Sequence, residues 1–160
     1  MNKKVLLIIL VFIISFLIIA GVLYFWLFKQ KVVLGTAEVK IGETSFSVEV
    51  ADTMASRAKG LSGREFLGEK NGMLFVFKIP AKYSFWMKGM KFPLDIIWIK
   101  DSEIIWIAEN VPPATGLFDA KTYFPPDNAD MVLELNSGSA KNFNIKIGDR
   151  VYINDVVGNR

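Results

Sequence analysis

The chain contains no cysteine and no histidine among its 160 residues. Without cysteine it cannot form disulfides, use a thiol nucleophile or carry the acylated cysteine of a lipoprotein. Without histidine it lacks the commonest general base and the commonest metal ligand. Ser137 and Ser139 therefore have no histidine partner for nucleophilic work. These absences exclude thiol catalysis and any mechanism that needs a histidine base or a histidine metal ligand.

Other metal and cofactor sites also lack a matching pattern. Met73, Met87 and Met90 have no histidine or cysteine to complete a copper site. Asp127 and Asp130 lie in a loop without the oxygen spacing of an EF-hand. Glycine-rich phosphate-binding loops are absent as well. We therefore predict neither a metal nor a cofactor.

One uncharged run dominates the amino end of the chain. Val5 to Phe28 holds 24 residues without a charge, and all but Ser15 and Gly21 are apolar. As a helix it would be about 36 Å long, enough to cross a hydrocarbon core of about 30 Å with some tilt. A cleaved signal peptide is the alternative, but aromatic residues follow Gly21 in place of a small-residue cleavage site. We predict a single uncleaved transmembrane anchor that contacts the lipid bilayer through residues 5–28.

The excess positive charge belongs to this anchor. Residues 1–31 hold four lysines and no acid, which leaves 15 basic and 16 acidic residues for 32–160. Lysines beside a membrane interact with anionic headgroups, and no basic patch indicates a nucleic-acid partner. The sequence predicts an anchor with basic flanks over residues 1–31 and a globular domain over residues 32–160.

The lysines that flank the anchor also bear on its orientation. Lys3 and Lys4 precede the apolar run, and Lys29 and Lys31 follow it. With the terminal amine, the amino side carries one more positive charge, which favours an amino terminus inside the cell. We predict a single-pass protein of the cell membrane whose domain is extracytoplasmic. The short linker Lys29–Gly35 would keep that domain near the bilayer.

The first part of the domain alternates polar and apolar residues. Thr36–Ile41 and Thr44–Val50 predict a hairpin around Gly42 and Glu43. A short helix follows, capped by Thr53 and ended by Gly60; it is predicted over Met54–Lys59.

Later segments are apolar on both faces, short, and rich in β-branched or aromatic residues. This pattern predicts strands covered on both sides: Met73–Phe77, Tyr83–Met87, Leu94–Ile99, Ile104–Ala108 and Met131–Leu135. A helical turn is predicted at Ser137–Asn142 and a last strand at Arg150–Ile153. The long connection Asn110–Ala129 holds four prolines, and long loops are commonly functional. We predict an α+β domain, a mostly antiparallel, curled β-sheet or small barrel-like domain with one or two short helices, preceded by a single transmembrane helix.

Several motifs give the domain a family resemblance. They are Gly72-Met-Leu-Phe-Val-Phe77, Phe85-Trp-Met-Lys88, Pro93-Leu-Asp-Ile-Ile97, Val132-Leu-Glu-Leu135 with Gly138, and Ile147-Gly-Asp149. In this order they resemble the prokaryotic DUF192 (UPF0127) family over Val39–Ile153. The resemblance implies a small β-rich domain, often behind a signal sequence or signal anchor, and no particular activity. The chain departs from the family pattern at two places. Ser62 stands where the family typically has Met, and Gly89-Met90 stands where it typically has Asn-Thr.

Two charges, Lys88 and Asp95, lie within an otherwise apolar stretch, Tyr83–Ile99. A buried charge costs free energy unless it is paired. Gly89 and Pro93 favour a turn between them, so we predict that the two side chains pair across it. The pair is either a structural ion pair that holds strand register or part of a ligand site.

The ligand-site interpretation adds residues from other segments. Its candidate binding residues are Arg57, Trp86, Lys88, Asp95 and Glu134. Phe85, Trp86 and Trp98 would form the walls, and the Asn110–Ala129 loop would cover the site. Aromatic walls with a few convergent polar groups are typical of small-molecule pockets.

Two functions from different classes follow. The first is a binding or interaction module for a polar ligand such as a carbohydrate or a peptide. The second is a hydrolase of envelope carbohydrate that uses Asp95 and Glu134 as an acid/base pair. The first is favoured, because the sequence does not fix the distance between these two carboxyls.

Overall fold

The computed structural model of the chain describes residues 3–28, 34–116 and 121–157. The chain divides into two compact units, Met1–Val32 and Val33–Arg160. The elements, in chain order, are α1 (Lys3–Phe28), β1 (Gly35–Ile41), β2 (Thr44–Ala51), α2 (Met54–Lys59), β3 (Asn71–Ala81), β4 (Phe85–Trp86), β5 (Leu94–Lys100), β6 (Glu103–Val111), β7 (Thr122–Tyr123), β8 (Ala129–Asn136), α3 (Ser139–Asn142) and β9 (Val151–Val157).

The amino-terminal helix α1 contains the apolar run. Its described side chains are exposed, with Phe12 and Phe16 each 71% accessible. The segment Lys3–Leu23 is long and apolar enough to cross a membrane, although a signal sequence has the same length and composition. The linker predicted at Lys29–Gly35 lies almost entirely outside the described residues.

The domain is built on a curled seven-stranded sheet with the strand order β6-β5-β8-β3-β2-β1-β9. Neighbouring strands are antiparallel except β2 and β3, which are parallel. Parallel neighbours require a crossover connection, and the chain between these two strands contains α2. The predicted curled, mostly antiparallel sheet with short helices is therefore confirmed.

The curl brings the two edge strands together at one end. The Ile104 N–H of β6 donates to the Asp149 carbonyl at 3.0 Å, and the Gly148 N–H donates back to the Ile104 carbonyl at 2.8 Å. A bridge between Glu103 and Arg150 continues this contact. The sheet therefore forms a half-barrel, in which a few backbone groups at this end of the two edges pair with each other.

Both faces of the central strands are covered. Every residue of Leu94–Ile99 in β5 is buried, as its two-sided apolar pattern predicts. Along β8, Leu133 and Leu135 face one apolar cluster, whereas Val132 belongs to a second cluster on the opposite face. Side chains alternate along a strand, so Glu134 projects to the same face as Val132.

Two predicted segments differ from the structure. Tyr83–Met87 does not join the large sheet; only Phe85 and Trp86 are extended, and they pair with β7 in a separate two-stranded sheet. The predicted Asn110–Ala129 loop contains β7, and four of its residues, 117–120, lie outside the described part. Aromatic residues can cover a sheet as well as form one of its strands, so the apolar run at Tyr83 does not by itself identify a strand of the large sheet.

Candidate functional site

A pocket of about 260 Å³ lies on the face of the sheet that carries Glu134. It is formed by α2 and the loop after it, β3, β8, and the segment from Tyr83 to Met90. Its charged lining residues are Arg57, Lys59, Lys88 and Glu134, and its aromatic lining residues are Phe75, Phe77, Tyr83, Phe85 and Trp86. Four of the five sequence-predicted binding residues therefore line one cavity, and Asp95 does not.

The carboxyl of Glu134 has an unusual environment. Glu134 sits in β8 directly opposite Met73 of β3 and Ile96 of β5, both fully buried. Only 5% of Glu134 is exposed, and its side chain has no hydrogen-bond or ion-pair partner within residues 3–28, 34–116 and 121–157. Burial removes water from the carboxylate and raises the pKa of Glu134 from its ordinary value of 4.5 to about 8. At neutral pH this carboxyl is therefore mostly protonated.

The helix α2 places Arg57 at the pocket. Thr53 begins this helix with a capping box: its hydroxyl accepts from the Ser56 N–H at 3.0 Å, and the Ser56 hydroxyl accepts from the Thr53 N–H at 2.9 Å. The helix ends at Gly60, whose φ of +48° is unfavourable for other residues. A side chain at this position would also contact the Phe75 ring. The boundaries predicted for this helix are confirmed.

Two carbonyl groups and an aromatic ring hold the Arg57 guanidinium. Nη1 donates to the Asp52 carbonyl at 2.6 Å and to the Val76 carbonyl at 3.0 Å. The guanidinium carbon lies 5.1 Å from the centroid of the Phe77 ring, within cation–π range. Phe77 stacks in turn on Tyr83. These contacts fix the position of Arg57 without neutralising its charge.

Lys88 and Trp86 lie together at the rim. Lys88 Nζ is 5.5 Å from the centroid of the Trp86 ring, and Trp86 is 58% exposed. The Lys88 carbonyl accepts from the Ser62 hydroxyl at 3.0 Å. An added side-chain carbon at Gly89 would approach the Ser62 hydroxyl to 3.2 Å. Two positions at which the chain departs from the family pattern, Ser62 and Gly89, thus lie against each other.

The predicted pairing of Lys88 with Asp95 is wrong. Asp95 is fully buried, and its carboxylate accepts hydrogen bonds from backbone N–H groups of Asn110 (2.8 Å), Gly138 (3.2 Å) and Ala140 (2.8 Å). Lys88 is exposed and forms no ion pair with any residue the structure describes. Asp95 therefore ties the end of β6 and the start of α3 to β5.

The acid pair of the hydrolase hypothesis is also contradicted. Asp95 is paired with Leu135 and Ile96 is paired with Glu134 in the same ladder. Because paired residues project to the same face and successive residues alternate, Asp95 and Glu134 lie on opposite faces of the sheet. They cannot flank one glycosidic bond, as an acid/base pair must.

The remaining predicted parts of the site are partly correct. Phe85 and Trp86 line the pocket, but Trp98 is fully buried and its indole N–H donates to the Tyr83 carbonyl at 2.8 Å. No described residue of the Asn110–Ala129 loop lines the pocket. Sequence reasoning missed Lys59 and Tyr83, which lacked any pattern that set them apart.

Metal-binding side chains are not grouped in the described structure. Within residues 3–28, 34–116 and 121–157, no three His, Cys, Asp or Glu residues lie where they could hold a metal ion.

The fold and the pocket define a small, mostly β domain with a half-barrel sheet and a cavity on one of its faces. The model of the DUF192 family, described as an uncharacterized ACR, matches residues 37–153, and the chain belongs to this family. No curated protein matches the chain.

Two solved structures are similar to the domain. One is a proposed transcription regulator from Sinorhizobium meliloti 1021, with 29% identity, a TM-score of 0.71, and coverage of 77% of this chain and 97% of that chain. The other is a protein of unknown function from Novosphingobium aromaticivorans DSM 12444, with 35% identity, a TM-score of 0.67, and coverage of 73% of this chain and 84% of that chain. These similarities support the fold.

We expect Asp95 to be essential for stability and Lys88 to be dispensable. Asp95→Leu leaves three backbone N–H groups without their buried acceptor and should cost about 3 to 5 kcal/mol. Lys88→Met should change the free energy of unfolding by about 0 to 1 kcal/mol. Denaturant unfolding of the full chain in detergent micelles measures both. A coupling energy above about 1 kcal/mol in the double variant would restore the ion-pair interpretation.

Glu134 should make the domain less stable as the pH rises. Its pKa is raised from 4.5 to about 8 on folding, so between these values the folded state holds a proton that the unfolded state has released. The free energy of unfolding should fall by up to about 1.4 kcal/mol per pH unit over this range. Glu134→Gln should remove this slope. An unchanged slope in the variant would show that the carboxyl is solvated.

Proposed function

We propose that the protein is a membrane-anchored binding module that takes a small polar ligand in the pocket above Glu134. The observation that carries the proposal is the carboxyl of Glu134, which is 95% buried as a residue, lines the cavity and lacks a partner among the described residues. Buried polar groups in folded proteins are nearly always hydrogen-bonded, so one that faces a cavity is suited to a ligand.

The walls and the size of the cavity support this function. Phe75, Phe77, Tyr83, Phe85 and Trp86 supply an apolar lining, and Arg57, Lys59, Lys88 and Glu134 supply a few polar groups. Such a combination is usual for small-molecule sites. The volume of about 260 Å³ lies just below the range of about 300 to 1,000 Å³ common for drug-sized ligands. A single sugar ring or a dipeptide is therefore the size of ligand to expect.

The binding proposal can be tested with the full chain in detergent micelles. A panel of monosaccharides and dipeptides is screened by thermal shift, since a ligand of the native state raises its apparent stability. Binders should lose about tenfold or more in affinity with Glu134→Leu, which removes the buried hydrogen-bonding group. Trp86→Ala should also weaken binding.

The matched control for Trp86 is Tyr152→Ala on β9. Tyr152 is 60% exposed, close to the exposure of Trp86, and it does not line the pocket. If both alanine variants weaken binding equally, or if Glu134→Leu leaves the affinity unchanged, the ligand binds elsewhere and the proposal is overturned.

We further propose that the domain lies outside the cytoplasm. The support is the lysine asymmetry: Lys3, Lys4 and the terminal amine precede the apolar helix, and Lys29 and Lys31 follow it. Protease added to intact spheroplasts should then digest the domain, whereas a cytoplasmic marker protein stays intact. Protection of the domain until the cells are lysed would reverse the orientation.

A further inference from the structure

The pocket collects positive charge that the protein itself does not neutralise. Its lining residues include three cations, Arg57, Lys59 and Lys88, and a single acid, Glu134. None of the three cations forms an ion pair with a described carboxylate. The carbonyls and the rings that contact Arg57 and Lys88 position these charges without cancelling them.

Neighbouring cations outside the pocket behave differently. Arg64 forms two hydrogen bonds with the Glu49 carboxylate at 2.6 Å each, and Lys91 pairs with Glu65. Arg64 lies in the loop after α2 and Lys91 in the segment after β4, and each of these segments also supplies pocket residues. The domain therefore pairs the cations beside the pocket and leaves the cations of the pocket open.

We propose that the pocket selects a small carboxylate-bearing ligand, whose anionic group meets Arg57 and Lys88 and whose hydroxyl or carbonyl oxygen accepts a hydrogen bond from the Glu134 carboxyl. This inference rests on the proposed binding function and names the class of its ligand. A carboxylate matches the fork of an arginine and gains from charge-assisted hydrogen bonds.

The protonation of Glu134 agrees with this selectivity. A protonated carboxyl can donate one hydrogen bond and does not repel an anion, unlike an ionised one. The other titratable groups lining the pocket are Arg57, Lys59, Tyr83 and Lys88, whereas β3 and β5 present apolar Met73, Phe75 and Ile96 beside Glu134. Asp130 lies four residues earlier on the same face of β8, near Lys100 and outside the pocket lining. The pocket therefore carries a net positive charge in both states of Glu134, and this charge is largest while Glu134 holds its proton.

A cationic ligand fits the same site less well. Its ammonium group would need Glu134 ionised, and Arg57, Lys59 and Lys88 would then oppose its entry. A neutral ligand would use Glu134 and the aromatic walls but leave the three cations without a role. Charge is therefore the property by which matched ligands should be ranked.

The test uses two series of ligands that differ mainly in charge, with the full chain in detergent micelles at constant ionic strength. The sugar series is glucuronate, glucose and glucosamine; the peptide series is N-acetyl-Ala-Ala, its amide, and Ala-Ala amide. Binding at pH 6.5 is read from the NMR signal of the Trp86 indole N–H, assigned by its loss in Trp86→Phe. This readout detects millimolar affinities, so it does not require the natural ligand.

We expect the anionic member of at least one series to bind about tenfold more tightly than its neutral partner, and the cationic member to bind least. Lys88→Met should remove most of this preference, whereas Lys146→Met, an exposed lysine outside the pocket, should not. Raising the pH from 6.5 to 9 should weaken the binding of the anion, and Glu134→Gln should abolish that pH effect.

The outcomes separate the two proposals. If neutral or cationic members bind as tightly as the anions, the anion selectivity is overturned and the pocket remains a binding site. If no member of either series perturbs the Trp86 signal at tens of millimolar, both proposals are overturned. An anion preference that survives Lys88→Met unchanged would also overturn the inference, because the charge would then reside elsewhere.

Discussion

The middle parts of the central strands β5 and β8 are covered on both faces, and this constraint governs the acid that each strand carries there. A polar side chain at such a position has little access to bulk water, so its hydrogen-bond partners must come mainly from its immediate surroundings. The two strands carry two buried acids, Asp95 on one face of the sheet and Glu134, which is 5% exposed, on the other. The two acids differ in their surroundings.

Asp95 is satisfied entirely by the protein. Its carboxylate accepts from the N–H groups of Asn110, near the end of β6, and of Gly138 and Ala140, which follow β8. Asn110 has a φ of +52°, an uncommon backbone conformation for a residue other than glycine, and the hydrogen bond from its N–H to Asp95 helps to hold it. The Ser137 hydroxyl donates to the Asn110 side chain at 2.6 Å and joins the two segments directly. This carboxylate therefore links three backbone positions to β5 and has a structural role.

Glu134 has the opposite surroundings. Its neighbours across the ladder are Met73 and Ile96, which offer no hydrogen bond, and its carboxyl opens on the pocket. Leaving it there costs stability, which is reflected in its raised pKa. Natural proteins tolerate such a cost where a side chain serves a site rather than the fold. At the same pocket, Arg57 contacts two carbonyl groups and an aromatic ring, and Lys88 contacts an aromatic ring, while neither forms an ion pair with a described carboxylate.

The local features of this protein were readable from the sequence. The helix Met54–Lys59 begins and ends where Thr53 and Gly60 predict, because capping depends on residues a few positions apart. The hairpin strands, the buried strand at Leu94–Ile99 and the long apolar helix follow from periodicity and composition in the same way. The family motifs indicated the β-rich fold for the same residues that now form its central strands.

Only the tertiary structure decided what the charged residues do. Lys88 and Asp95 are close in sequence, yet a turn and a change of sheet send one to the pocket rim and the other to the opposite face. The donors to Asp95 lie 15, 43 and 45 residues away in the chain, beyond the reach of any local pattern. Likewise, Arg57 and Glu134 meet in one cavity because β3 lies between β2 and β8. Strand order and register, which depend on contacts between distant segments, determine which face each acid occupies and therefore which one lines the pocket.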